Sequence, residues 1–286
     1  MGAASRDVAA DDSRGWRLGG AATYCSLAAA RLGLRVGCLV GVDEAAAGAE
    51  ELGLLETAGV ALRPVRLAHG PVFENVERDG RRRQRWLSKS DPVLPASLPA
   101  EWRGARGWLL GPVAGELSDE WASVPEAGAL VGLGWQGMLR EFSNDGWVRR
   151  VAPTSSATTA AAGLVTASVD DFAPGTMLDD LRLVAPSAIV VLTAGADGGS
   201  AMAGRKKVTY AAVPARAVVD STGAGDVFLA ALMAAWLLTG ELATARALHF
   251  AAAAGSCTVE EAGLAGVPDR AQVAGRLGIS RPAAAG

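Results

Sequence analysis

Asp220-Ser221-Thr222-Gly223-Ala224-Gly225-Asp226 places two carboxylates on either side of a glycine-rich turn, and an uncharged apolar run from Val227 to Leu238 follows. Glycines let the backbone turn tightly enough for successive N–H groups to converge on one point. If the apolar run is a helix, its first N–H groups have no internal partners and sit at the positive end of the dipole, so that point favours an anion. A carboxylate beside an anion site is electrostatically unusual. Asp226 there could take the proton from a hydroxyl that attacks phosphorus. Thr222 would also cap an ordinary helix, but both aspartates in register with the apolar run favour the phosphoryl-transfer reading.

The elements that must hold this turn follow from the apolar pattern. Residues 20–32 read as a helix opened by Gly19-Gly20 and stopped by Gly33. Arg35–Val42 reads as a strand and Ala45–Ala58 as a helix ended by Gly59. Strand-length apolar runs recur at Ala129–Leu133, Gly163–Thr166, Ala188–Leu192 and Val208–Val213, and helices are expected over 227–239 and 243–257. Such alternation predicts a mostly parallel sheet covered on both faces. Pro71–Glu77 and Arg81–Leu87, joined by Asp79-Gly80, break the rhythm and read as a β-hairpin standing off that sheet. Its arginines, 81–83 and 85, read as a solvated face, the tryptophans of the middle third as core, and 280–286 as a frayed tail.

With 286 residues, half of them hydrophobic, the chain fits one large α/β domain or two small ones. A net charge of −3 gives no attraction to nucleic acid or an anionic membrane, and no apolar run is long enough to span a bilayer. Cys25, Cys38 and Cys257 lack metal-type spacing and suggest free thiols in a reducing, cytoplasmic setting. Gly132-Leu-Gly134-Trp-Gln-Gly137 spells a dinucleotide fingerprint but lacks the acidic residue about 20 positions on. There is no P-loop and no metal constellation; His249, in an apolar helix, reads as a core residue.

The stretch 220–233 resembles, at all fourteen positions, the C-terminal signature of the PfkB or ribokinase-like family of sugar and nucleoside kinases. Leu18-Gly19-Gly20-Ala21-Ala22-Thr23-Tyr24 through Leu32-Gly33 is similar to the family's N-terminal signature, with Tyr24 where many members carry Asn. Ile189–Gly198 resembles its nucleotide strand, and Val165–Asp171 stands where the family has Asn-x-x-Glu. Gly111-Pro-Val-Ala-Gly-Glu and Gly134-Trp-Gln-Gly-Met-Leu-Arg140 are nearest to the plant myo-inositol kinase branch.

The resemblance implies one ribokinase-like kinase domain over 1–286: a three-layer α/β/α fold, mostly parallel in its central sheet, with a small β lid at 69–91. It implies an ATP-dependent enzyme that phosphorylates a hydroxyl of a small sugar, polyol or cyclitol. Asp226 is then the general base, and the amides of Gly223, Ala224 and Gly225 form the anion hole. Asp7, Gly19, Gly20, Tyr24 and Gln136, with Arg140 beside Gln136, face the acceptor. Ser168, Asp171, Thr193, Gly195 and Thr222 face the nucleotide, with Asp170 as an alternative carboxylate, and the 243–257 helix lines the adenine pocket. Mg²⁺ is held through the ATP phosphates and not by the chain; some relatives hold a monovalent cation between Asp220 and the 259–263 loop. Lid edges often pair between subunits, which implies a homodimer. A nucleoside kinase, or a sugar-binding relative without turnover, remains open.

Overall fold

Met1 stitches two halves of the central sheet together. In the computed structural model, which describes residues 1–78, 81–173, 176, 181 and 183–279, its amino group donates to Leu109 O at 2.7 Å and its carbonyl accepts from Gly111 N–H at 2.9 Å. On one side lie β1 (Gly2–Ala3), which opens the chain, and its parallel neighbours. The chain then forms β2 (Ser5–Val8) and β3 (Trp16–Gly19), β4 (Gly37–Val42), β5 (Ala61–Arg66), β6 (Val72–Arg78) and β7 (Arg81–Ser88). It continues through β8 (Gly107–Leu110), β9 (Leu130–Gly134), β10 (Arg140–Phe142), β11 (Val148–Arg150), β12 (Leu164–Ser168), β13 (Ile189–Thr193), β14 (Gly199–Ala203) and β15 (Lys206–Tyr210). The bonds of Met1 join β5-β4-β1 to β8-β9-β12-β13-β14-β15. The pairs are parallel from β8 to β13 and antiparallel at β14 and β15. The strands buried on both faces are runs of Val, Leu and Ile, as a covered parallel sheet demands.

Helices α1 (Ala21–Arg31), α2 (Glu44–Ala47), α3 (Glu51–Thr57), α4 (Ala157–Ala161), α5 (Ala224–Thr239), α6 (Ala245–Thr258) and α7 (Arg270–Arg276) lie outside the strands. One buried cluster packs α1, α5 and α6 together and a second packs Trp108, Trp121 and Trp135 on other strands. Helix α5 is apolar almost all round because Val227 to Ala234 are wedged between α1, α6 and the sheet. The helix expected over 45–58 is interrupted at Gly48, and Asp43 caps its first piece by accepting from Ala46 N–H at 2.9 Å.

The lid is larger than the sequence suggested. The β6–β7 hairpin pairs through β2 with β3, so 5–8 and 16–19 belong to a four-stranded sheet ordered β3-β2-β6-β7. The turn Asp79-Gly80 and the tail 280–286 lie outside the described residues. Of the arginine face, Arg83 is exposed, as expected, and its guanidinium also stacks on Trp147 at 4.2 Å; the β10–β11 hairpin meets β7 through Trp86 N–H donating to Gly146 O. His249 is exposed, not core; Ala247, Leu248 and Ala251 take the inner face of α6.

Candidate active site

Gly223 is the N-cap of α5 in place of Thr222. Its φ is 78°, and no side chain caps the helix. This left-handed geometry alone favours glycine, and a Cβ there would also lie 2.2 Å from Tyr24 Cδ1. The buried Tyr24 ring therefore fills the space beneath the turn. Among the described residues the N–H groups of Gly223 and Gly225 donate to no protein acceptor, while Ala224 N–H makes a long 3.4 Å bond to Ser221 O. Thr222 N–H donates to Asp220 Oδ1 at 2.9 Å, and Gly263 N–H to Asp220 Oδ2 at 3.1 Å, so Asp220 ties the turn to the 263 loop.

Asp226 follows in the first turn of α5. Burial, then the charges of Asp171 and Asp7, push its carboxyl up to about 7, while Arg140 pulls it down. The side chain nevertheless keeps a solvent-reachable edge at the cleft. Gly134, at the carboxyl end of β9, borders it: a Cβ there would lie 3.9 Å from Asp226 Oδ1.

Asp7 comes from the lid sheet. Ser5 Oγ donates to its Oδ1 at 3.1 Å, and Gly19 on the paired strand leaves room for its Oδ2, which a Cβ would approach to 2.2 Å. Gly20 then caps α1 with φ 100°. Both glycines thus have local structural causes beside any substrate role. Tyr24 lies within electrostatic reach of Asp220, Asp7 and Asp226, and burial plus these charges raise its phenol so that it stays neutral. The candidate residues Asp7, Tyr24 and Asp171 therefore all lie within electrostatic reach of Asp226 or of one another.

The remaining expected residues lie on the opposite wall. Asp171, and not Asp170, turns inward: its Oδ2 accepts from Ser168 N–H at 2.9 Å and its Oδ1 from Gln136 Nε2 at 2.8 Å. Gln136 is thus bound to the wall expected to face the nucleotide. Ser168 Oγ accepts from Asp170 N–H at 3.1 Å. Thr193 Oγ reaches Ala167 O at 3.5 Å, and Gly195 lies exposed just beyond β13.

Two residues were missed or underweighted from sequence. Glu116 is 1% exposed and accepts from Ala3 N–H at 2.9 Å and Ala114 N–H at 2.8 Å, with Val113 N–H shared between its oxygens at 3.1 Å. Burial raises its carboxyl and these amides oppose the rise. Arg140 opens β10, and its guanidinium lies 5.5 Å from the centre of the Phe73 ring. It faces Asp171, Asp7 and Asp226, whose charges favour its cationic form against burial. Among the described residues no group of three or more His, Cys, Asp or Glu could hold a metal ion, and no helix is long and apolar enough to cross a membrane.

Residues 177–270, which carry the turn and α5, match the pfkB family carbohydrate kinase model. That match covers the C-terminal third of the chain, which is similar to this family. No curated relative matches it. Solved structures share the fold of the whole chain. A pyrophosphate-dependent kinase in the ribokinase family, complexed with a pyrophosphate analog and myo-inositol, aligns with TM-score 0.73 and 16% identity over 96% of this chain and 98% of its own. Ribokinase of Arabidopsis thaliana, complexed with ribose and ATP, aligns with TM-score 0.68 and 19% identity over 98% of each chain. A nucleoside kinase of Methanocaldococcus jannaschii, an archaeal member of the ribokinase family, aligns with TM-score 0.66 and 16% identity over 96% and 95%. The chain therefore has the ribokinase-like α/β/α fold with a small β lid.

Proposed function

We propose that the chain transfers the terminal phosphoryl group of ATP to a hydroxyl of a small sugar, polyol or cyclitol. The observation that carries this is a carboxyl raised to about 7 beside two unpaired amide N–H groups at the start of α5. Asp226 accepts the acceptor's proton as its oxygen bonds to phosphorus and the bond from phosphorus to the leaving nucleotide breaks. The amides of Gly223 and Gly225, with Ala224 nearby, hold the negative charge of the transferred group. Asp7 binds acceptor hydroxyls, with the turn at Gly19-Gly20 and the Tyr24 hydroxyl forming the floor. The lid, including 69–91, excludes water that would compete for the phosphoryl group.

The residues fit a nucleotide with its metal. Both Asp171 oxygens already accept one hydrogen bond each and have lone pairs left, which suits a hydrated cation better than a direct ligand. Mg²⁺ bound through the ATP phosphates would neutralise charge there. Val218 and Val219, 75% and 61% exposed on the segment leading into the turn, offer a base an apolar surface. Thr193, Gly195, Ser168 and Thr222 line the approach.

A second donor, pyrophosphate, is raised by one neighbour: the kinase described as pyrophosphate-dependent aligns at TM-score 0.73, beside 0.71 for a ribokinase II in complex with ATP. Initial rates with ATP or pyrophosphate against myo-inositol, ribose, fructose and a nucleoside separate the readings. ADP release with a polyol supports the proposal; orthophosphate release from pyrophosphate moves the donor; silence with every pair leaves a binding protein.

A further inference from the structure

A guanidinium that sits half-buried without a partner is costly unless something charged comes to meet it. Arg140 is in that position. Among the described residues no acceptor lies within hydrogen-bonding or ion-pair reach of it, yet it faces three carboxylates from three elements: Asp171 after β12, Asp7 on β2 and Asp226 on α5. Its one ring contact is with the face of Phe73, the residue in register with Asp7. No hydrogen bond among the described residues occupies its N–H groups, which remain available to a ligand.

The scaffold holds Arg140 there deliberately. Gly137, three residues before it, packs against Pro112: a Cβ at Gly137 would lie 1.9 Å from Pro112 O. The 112–114 backbone is in turn fixed by Glu116, which also grips Ala3. Gln136, from the same short helical segment, holds Asp171. A chain of close contacts thus runs from the first strand to the guanidinium, and a long flexible side chain is aimed by a rigid support.

Charge decides what the ligand is. A neutral polyol is served by acids such as Asp7 and gains little from a cation. A phosphoryl group passing between donor and acceptor carries negative charge on its equatorial oxygens, and three carboxylates would repel it. Two amides at the start of α5, and any cation carried by the donor phosphates, oppose that repulsion. A planar guanidinium matches phosphate geometry with paired N–H donors.

We propose that Arg140 is a catalytic residue that contacts the oxygens of the phosphoryl group in transit. This rests on the kinase reading above. It binds the migrating group most tightly midway, so its effect falls on kcat more than on acceptor affinity.

The test compares wild type with Arg140→Met and Arg140→Lys, using the donor that wild type turns over. Arg140→Met lowers kcat about 10²–10³-fold, as loss of one transition-state donor does elsewhere. Its acceptor KM stays within about threefold and Arg140→Lys restores part of the rate, as uniform binding loss would not. As a readout besides turnover, aluminium fluoride tightens ADP binding to wild type in the presence of acceptor (orthophosphate replaces ADP if pyrophosphate is the donor). Arg140→Met loses that tightening while binding ADP alone as before. A raised acceptor KM with unchanged kcat would make Arg140 an acceptor contact, and unchanged kinetics a bystander; either overturns the proposal. If Arg140→Met does not fold, Arg140→Lys decides by the same split. Wild type that neither turns over nor tightens on aluminium fluoride would overturn the kinase reading itself, and this proposal with it.

Discussion

Asp226 is pushed up by its surroundings to the range where a base works best near neutral pH. Its carboxyl stands at about 7 through burial, with Asp171 and Asp7 adding repulsion and Arg140 opposing them. Only the ionised form accepts a proton, so kcat/KM rises with pH through about 7 and is lost below it. Asp171→Asn removes a repelling charge and moves that limb to lower pH; a pH–rate profile of both proteins checks it. The stability sign runs the other way. A folded value above the ordinary 3.8 of an aspartate means the native state favours the neutral form, so this contribution is present at low pH and lost as pH rises through about 7. Asp226→Asn therefore raises the melting temperature near pH 8, by roughly 2–4 °C if about 1 kcal/mol survives the solvent at its open edge. Gly223→Ala meets both the left-handed φ and the Tyr24 ring, and turnover falls while Tyr24→Ala in the same chain relieves only the clash. Asp226 and this turn were legible because glycines, acids and an apolar helix follow one another in sequence. Arg140 was legible only as a neighbour of Gln136, because Phe73, Asp7 and Asp171 are brought near it only by folding.

At the scale of elements, short polar strands were the hardest to see. Ser5–Val8 and Trp16–Gly19 carry charges at three of their eight positions and show no alternation, so the hairpin that presents Asp7 gave no strand signal; it is stabilised by pairing with the lid. Long apolar strands such as Ile189–Thr193 were placed within one residue because burial on both faces demands a continuous run. In α6 the apolar composition hid the helix face: His249 falls about 100° from Leu248 and points outward. The Glu116 clamp shows an element held by one side chain. Glu116→Ala leaves the N–H groups of Ala3, Val113 and Ala114 unsatisfied, with a cost of about 1–3 kcal/mol each before water compensates. Urea unfolding is expected to show a loss of at least about 2 kcal/mol. Glu116→Gln, which keeps an acceptor, loses less.

Over the whole molecule, the central sheet aims its carboxyl ends, and α5's amino end, at a cleft covered by a second, four-stranded sheet. The two sheets join where Ala4, between β1 and β2, donates its N–H to Gly41 O on β4, and β7 touches the β10–β11 hairpin that begins at Arg140. Donor and acceptor together should slow amide exchange in Val72–Arg78 and Arg81–Ser88 more than either alone, because the lid closes over both. Exchange unchanged by the pair would leave the lid without that role. The account's centre is the acid at the start of α5, and single-turnover transfer by Asp226→Asn, read beside donor affinity, tests it most directly. The account predicts transfer slowed about 10²–10⁴-fold with donor Kd within about threefold of wild type. Transfer at the wild-type rate, or a loss matched by equal loss of donor binding, would contradict it.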